Sequence, residues 1–155
     1  LLSLRAGLAV VDLAGAAARV KWPNDVLVDG RKVAGILVEG RPQERWAVVG
    51  IGVNAALELA ELPPELRDRA GTLGLAPHRL EDALRELLAA LTNRLGEPPE
   101  AVLAALRERD ALLGAHVSWA TGSGTGAGIT GAGGLRVRRA DGAETVLDAG
   151  EVHLG

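Results

Sequence analysis

The chain has 155 residues, 48% hydrophobic and 24% charged, the balance of a soluble globular protein rather than a disordered or membrane-embedded one. Its net charge of −3 gives no general pull toward nucleic acid or an anionic membrane. With no cysteine there are no disulfides and no thiolate metal sites, and nothing points to an oxidising compartment.

No apolar run is long enough to cross a bilayer and no signal peptide is visible, so a cytoplasmic location is expected. Leu1 is not a natural start, and the chain is expected to begin inside a larger protein. Aromatic residues make up only 2%, all tryptophan, so the core must be built from Leu, Val and Ala.

Residues 1 to 19 place apolar side chains over a wide arc of a helix, which predicts a mostly buried helix from Leu1 to Arg19. An antiparallel meander follows. Val26 to Val28 is a short strand, and Asp29-Gly30 is a strong hairpin signal, because a type I′ turn needs positive φ at both central residues. Lys32 to Val38 is the return strand and residues 41 to 45 form a polar turn. Trp46 to Val53 is nearly all apolar, as expected of a strand buried on both faces.

Residues 55 to 75 read as irregular, with a short helix after Pro63-Pro64 that Gly71 ends. Leu80 to Leu95 is the clearest helix, with Leu80, Ala83, Leu84, Leu87, Leu88, Leu91 and Leu95 on one face, Glu81 and Asp82 in the first turn, and Gly96 at the C′ position. Pro98-Pro99 starts another helix that runs to about Asp110. Beyond Leu113 short β-runs alternate with turn signals at 122–126, 131–134 and 141–142, the texture of a small barrel. A domain boundary is expected near Leu112.

The meander carries an unusual polar set. Lys21, Asn24, Asp25, Lys32 and Asn54 sit within or at the ends of apolar strands, and Gly35, Gly50 and Gly52 interrupt strand interiors. Glycine there marks the close approach of a ligand or another backbone, or a bulge. Two lysines, a carboxylate, two carboxamides and bare backbone suit an anionic, phosphate-bearing ligand with a metal ion. His78, His116 and His153 have no ligand spacing and read as surface residues, so no protein metal site is expected.

Three blocks in order, residues 21–25 (Lys-Trp-Pro-Asn-Asp), 29–39 (Asp-Gly-Arg-Lys-Val-Ala-Gly-Ile-Leu-Val-Glu) and 50–54 (Gly-Ile-Gly-Val-Asn), strongly resemble the catalytic domain of bacterial biotin protein ligases, the biotin–[acetyl-CoA-carboxylase] ligases. The resemblance implies an α+β fold: a mixed or antiparallel sheet packed with helices, class II synthetase-like, truncated at its N-terminus and followed by a small SH3-like β-barrel. The expected division is 1–111 for the catalytic part and 112–155 for the barrel. The implied activity is ATP-dependent: biotinyl-5′-AMP forms first, then biotin passes to a lysine of a biotin carboxyl carrier protein. ATP, biotin and Mg2+ are the implied small molecules, and a homodimer paired through central sheets is left open.

By the same resemblance Lys32 is the main catalytic candidate, contacting biotin and the phosphoryl centre, and Lys21 assists. Lys21 and Asn24 contact the nucleotide, and Asp25 orients a lysine or helps to hold the metal through water. Gly35, Gly50 and Gly52 let backbone approach biotin, Ile36 lines an apolar wall, and Asn54 lies near the phosphates or else caps a strand. Trp22 is expected to pack, and Glu39 to be a structural partner rather than a base. The upstream Gly-Arg-Gly-Arg-rich loop of the family is absent here. That keeps open a non-catalytic ligand-binding or dimerising fragment, alongside a lipoate or octanoate ligase on the same fold.

Overall fold

The structure is a computed structural model that describes the backbone of residues 1–155 and every side chain except that of Pro42. It is built of helices and two antiparallel sheets, as the α+β expectation requires.

Helix α1 (Leu2–Ala14) buries Leu4, Ala6, Gly7, Leu8, Ala9, Val10 and Val11, the wide apolar arc seen in its sequence. It stops five residues before the expected end at Arg19. Gly15 adopts φ +90°, which turns the chain, and its N–H satisfies the Val11 carbonyl. Residues 18–21 then form a strand the sequence reading missed, β1 (Ala18–Lys21). It is stabilised by burial of Ala18 and Val20, which pair with Val28 and Val26.

Strands β2 (Asp25–Val28), β3 (Arg31–Arg41) and β4 (Trp46–Val53) complete a four-stranded sheet in the order β1-β2-β3-β4. Asp29 and Gly30 have φ of 49° and 76°, the two positive values of the expected hairpin turn. α1 covers one face of this sheet, where a Cβ on Gly7 would lie 3.5 Å from Val20. The bare α-carbon lets helix and sheet approach closely.

β4 is not buried on both faces as expected. Val49, Ile51 and Val53 are half-buried against the core, while Val48 is 61% and Trp46 45% exposed. The reason is position: among the described residues β4 pairs only with β3 and forms an open edge. The opposite edge, β1, is covered by residues 110–111, where the Ala111 N–H donates to the Val20 carbonyl at 2.9 Å.

After the short helix α2 (Pro64–Arg67), helix α3 (Leu80–Gly96) lies on α1 and α4 (Pro99–Arg109) follows. Of the seven residues on the expected apolar face of α3, Ala83 and Leu87 are buried and Leu91 is partly packed, whereas Leu80, Leu84, Leu88 and Leu95 are exposed. The apolar arc is wider than the contact α1 offers. Gly96 is the last residue of α3 rather than its C′ residue.

The second sheet has the order β8-β7-β6-β5-β9, from β5 (His116–Trp119), β6 (Gly122–Ile129), β7 (Leu135–Arg138), β8 (Glu144–Leu147) and β9 (His153–Leu154). The glycine run 122–126, expected to be a turn, is the first half of β6. Its glycines serve close packing instead of reversal: a Cβ on Gly124 would stand 2.5 Å from the Arg138 carbonyl oxygen, and one on Gly126 would overlap the Leu112 carbonyl. The core is continuous from α1 and the first sheet into Leu112, Val117, Leu135, Val137 and Val152. Buried Trp22 stitches the two sheets together, its Nε1 donating to the Gly133 carbonyl at 2.9 Å. It packs, as its sequence context suggested.

Candidate active site

The first sheet aligns Lys21, Asp25, Gly35 and Gly52 side by side across its four strands, as the register pairs Lys21 with Asp25, Asp25 with Gly35 and Gly35 with Gly52. Residues directly opposite share a face, so a carboxylate and an amine stand beside two bare backbone positions. The face is the one turned away from α1.

Lys32 joins this row through an irregularity. Residues 32 and 35 are three apart and would point to opposite faces of a regular strand. Between the pairs Val26–Ala34 and Leu27–Lys32, however, β3 uses one residue more than β2, and Val33 is the extra residue of a bulge. Asp25 and Leu27 share a face, so their partners Gly35 and Lys32 do too. Val33 and Ala34 consequently both reach the core, at 0% and 2% exposure.

The outcome is a three-membered cluster. Asp25 Oδ1 lies 2.5 Å from Lys32 Nζ and its Oδ2 lies 3.7 Å from Lys21 Nζ. Lys21 and Asp25 are mostly buried, and the Lys32 side chain is half exposed. The Lys32 chain arches over Gly35, where a Cβ would meet Nζ at 3.4 Å. One negative and two positive charges leave a net positive centre at the rim of a 660 Å³ cavity. The walls are Lys32, Gly35, Gly52 and Asn54 from the sheet, faced by Leu57, Leu62, Leu66 and Arg69.

The far wall is the part the sequence reading missed, since residues 55–75 were read as irregular apart from the short helix after Pro63-Pro64, which α2 bears out. They are fixed against β3. The Lys32 N–H donates to the Arg69 carbonyl at 2.8 Å, and the Gly71 N–H to the Lys32 carbonyl at 2.8 Å. The signal available in the sequence was the set Leu57, Leu59, Leu62 and Leu66, spaced among the charged residues Glu58, Glu61, Glu65 and Arg67.

Not every candidate presents its side chain to the cavity. Asn24 spends its amide on the Ile36 carbonyl (Nδ2–O 2.8 Å), and its own carbonyl accepts the Ile36 N–H at 2.8 Å. The Ile36 side chain is in the core at 2% exposure, so only its backbone belongs to the site face. Asn54 donates Nδ2 to the Gly71 carbonyl at 3.0 Å and to the Lys32 carbonyl at 3.3 Å, latching the far wall to β3. Gly50 and Gly52 are both exposed on β4, with at least 3.7 Å of clearance around an added Cβ. Glu39 is exposed and has no hydrogen bond or ion pair among the described side chains, which corrects its expected structural role: it sits opposite Val48 on the open edge pair β3–β4. The three histidines are exposed, as read from their spacing.

The chain is similar to known proteins in both sequence and fold. Residues 2–55 match the Biotin/lipoate A/B protein ligase family. The chain is 40% identical over 82 residues to the bifunctional ligase/repressor BirA of Bacillus subtilis (strain 168), covering 48% of this chain and 25% of that protein. It is 36% identical over 126 residues to the biotin–[acetyl-CoA-carboxylase] ligase of Mycobacterium tuberculosis (strain ATCC 25618 / H37Rv), covering 75% of this chain and 46% of that protein. The chain thus spans less than half the length of these curated relatives. The biotin protein ligase from Aquifex aeolicus, solved in complex with biotin and ATP, superposes with a TM-score of 0.82 at 27% identity, covering 99% of this chain and 70% of that one. By sequence over three quarters of its length and by fold over nearly all of it, the chain belongs to the biotin protein ligase family.

Proposed function

We propose that this chain carries the acyl-adenylate site of an ATP-dependent biotin–protein ligase, with a biotin carboxyl carrier protein as acceptor. The observation that carries the reading is the Lys21–Asp25–Lys32 cluster on a glycine floor, at the rim of a largely apolar cavity. A carboxylate oxygen of biotin attacks the α-phosphorus of ATP, the bond to pyrophosphate breaks, and charge grows on the phosphoryl oxygens. Lys32, held near by the hairpin and the bulge, supplies fixed positive charge there without reorganisation. Lys21 and Asp25 fix the position of Nζ, and Gly35, Gly50 and Gly52 leave backbone open to the bicyclic acid. In the second step the acceptor amine attacks the acyl carbon, the C–O bond breaks, AMP departs and the amine loses a proton.

Among the described residues no group of three His, Cys, Asp or Glu is placed to hold a metal ion. A Mg2+ ion would be carried mainly by phosphate oxygens and water, with Asp25, the carboxylate of the cluster, available to reach it through water. It would supply charge neutralisation to the triphosphate. No helix of the described residues is long and apolar enough to cross a membrane.

The test is ATP–pyrophosphate exchange run with biotin and, separately, with lipoate. Exchange with biotin alone supports the reading. Exchange with lipoate alone would reassign the acid, and exchange with neither, in this chain and in a longer form carrying the family's glycine- and arginine-rich loop, would remove the enzymatic reading.

A further inference from the structure

Of the 17 lysine and arginine residues in this chain, only Lys21 and Lys32 are lysines. Both are ion-paired to the same carboxylate in the site. The cations that stand well out in solvent, among them Arg41, Arg79, Arg85 and Arg138, are all arginines. The distinction matters chemically. A guanidinium stays charged and does not accept acyl groups under ordinary conditions, whereas an unpaired amine does.

Under the acyl-adenylate reading on which this inference rests, the site makes a mixed anhydride that acylates amines. Lys32 has to stand beside that anhydride to stabilise it. An unpaired Nζ there would attack the acyl carbon and form an amide C–N bond. The C–O bond to phosphate would break, AMP would leave with its electron pair, and the amine proton would pass to water. The site would then be lost, because Lys32 would be neutral and its place filled. In the structure Nζ is instead tied to Asp25 Oδ1 at 2.5 Å, and the other oxygen of the same carboxylate lies 3.7 Å from Lys21 Nζ.

We infer that Asp25 is a positioning residue that makes the chain refractory to its own activated product, by holding the only two side-chain amines in ion pairs. The carboxylate decides whether Lys32 acts as a charge or as a nucleophile. Away from the site the surface carries no lysine, which extends the same protection to anhydride that escapes it.

The test uses synthetic biotinyl-5′-AMP, so it does not depend on turnover. The wild-type chain, Asp25→Asn, Asp25→Ser, Asp25→Glu and a surface control, Arg85→Lys, are incubated with it and followed by intact mass and peptide mapping. Circular dichroism checks the fold of each, and Asp25→Ser serves as a second carboxylate-free form should Asp25→Asn fail to fold. The expected result is acylation of Lys32 or Lys21 in the carboxylate-free forms at least about tenfold faster than in wild type, a rate ratio easily resolved. Asp25→Glu should return the rate to the wild-type level, which a merely structural role would not require. Arg85→Lys should be acylated at residue 85, showing that the reagent is live. Excess biotin should block the reaction at the site lysines and leave that at residue 85 untouched. Equal, biotin-blocked acylation of wild type and Asp25→Asn would overturn the inference alone. Acylation of the site lysines that biotin does not block would count against the acyl-adenylate site itself and overturn both.

Discussion

Asp12 on α1 and Arg94 on α3 are joined at two points, Oδ1 to Nη2 at 2.7 Å and Oδ2 to Nε at 2.8 Å. Arg94 also reaches Glu97, with Nη1 3.0 Å from Oε2. From the other side Arg5 of α1 donates to the carbonyls of Arg94 and Glu97, at 2.5 and 2.9 Å, satisfying the end of α3 that Gly96 does not cap. Two arginines thus cross the α1–α3 seam in opposite directions. Arg94→Ala should cost about 1–2 kcal/mol, the range for paired charged hydrogen bonds that are not fully buried. Urea midpoints read this, and an unchanged midpoint would mean that the seam is held by apolar contact alone.

Lys32 is half exposed and contributes no core contact, so Lys32→Ala should leave the far-ultraviolet dichroism unchanged. Adenylate formation should fall about 100- to 1,000-fold, the usual effect of removing one preorganised group that stabilises developing charge. Pyrophosphate exchange and dichroism on the same sample separate the outcomes. A collapsed fold would make Lys32 structural.

The glycines divide into two kinds that substitution can tell apart. Gly126→Ala places a methyl into the Leu112 carbonyl, and Gly124→Ala puts one 2.5 Å from that of Arg138. Each should destabilise the chain by at least about 2 kcal/mol, through backbone displacement. Gly50→Ala meets nothing nearer than 3.7 Å and should leave stability within about 0.5 kcal/mol. Its methyl stands on the site face, so biotin affinity should drop while the melting curve stays put. Calorimetric titration and thermal melts of the three variants make the comparison.

Asn54 does its visible work on the backbone. Asn54→Ala removes the Nδ2 bonds to Gly71 and Lys32, and about 1 kcal/mol of local stability with them. Hydrogen exchange at the Gly71 and Leu73 N–H groups should quicken before that of α1. If their protection holds, the latch lies elsewhere.

Asp110 sets a pH dependence. Burial raises its carboxyl above the ordinary carboxylate value, and backbone N–H groups of Leu112 and Leu113 offset this only in part. Its Oδ2 is buried without a hydrogen-bond partner. The folded chain therefore keeps this proton to higher pH than the unfolded chain does. The associated stability is present below the ordinary carboxylate value and is lost as pH rises through the raised one. Relative to wild type, Asp110→Asn should gain stability as pH rises from about 3 to about 7. Paired denaturation midpoints across that range check it, and a difference independent of pH would clear Asp110 of the effect.

The hairpin at Asp29-Gly30, the helices on either side of residues 97–98 and the packing role of Trp22 were all legible, because each rests on local chemistry. So was the membership of Lys21, Asp25 and Lys32 in one polar set. How they meet was not. In regular alternation Lys32 and Gly35 take opposite faces, and only the bulge at Val33, a tertiary response to burying two neighbouring side chains, brings them together. The far wall was illegible for a similar reason. Residues 57–70 hold only two short helical turns, of which the one after Pro63-Pro64 was legible, and their place is set by backbone bonds to β3 that no periodicity announces. β1 was lost because an alanine-rich stretch reads as helix until a glycine in the left-handed region stops it.

The continuous core described above has a thermodynamic meaning. Leu4 and Leu8 of α1 belong to the same apolar cluster as Val117, Leu135 and Val137 of the second sheet, and Trp22 is bonded across the join. Neither sheet can shed its interior contacts without uncovering the other's. Heat should therefore take the chain apart in one cooperative step, with calorimetric and van't Hoff enthalpies in agreement, and residues 112–155 expressed by themselves should lack the cover that makes them fold.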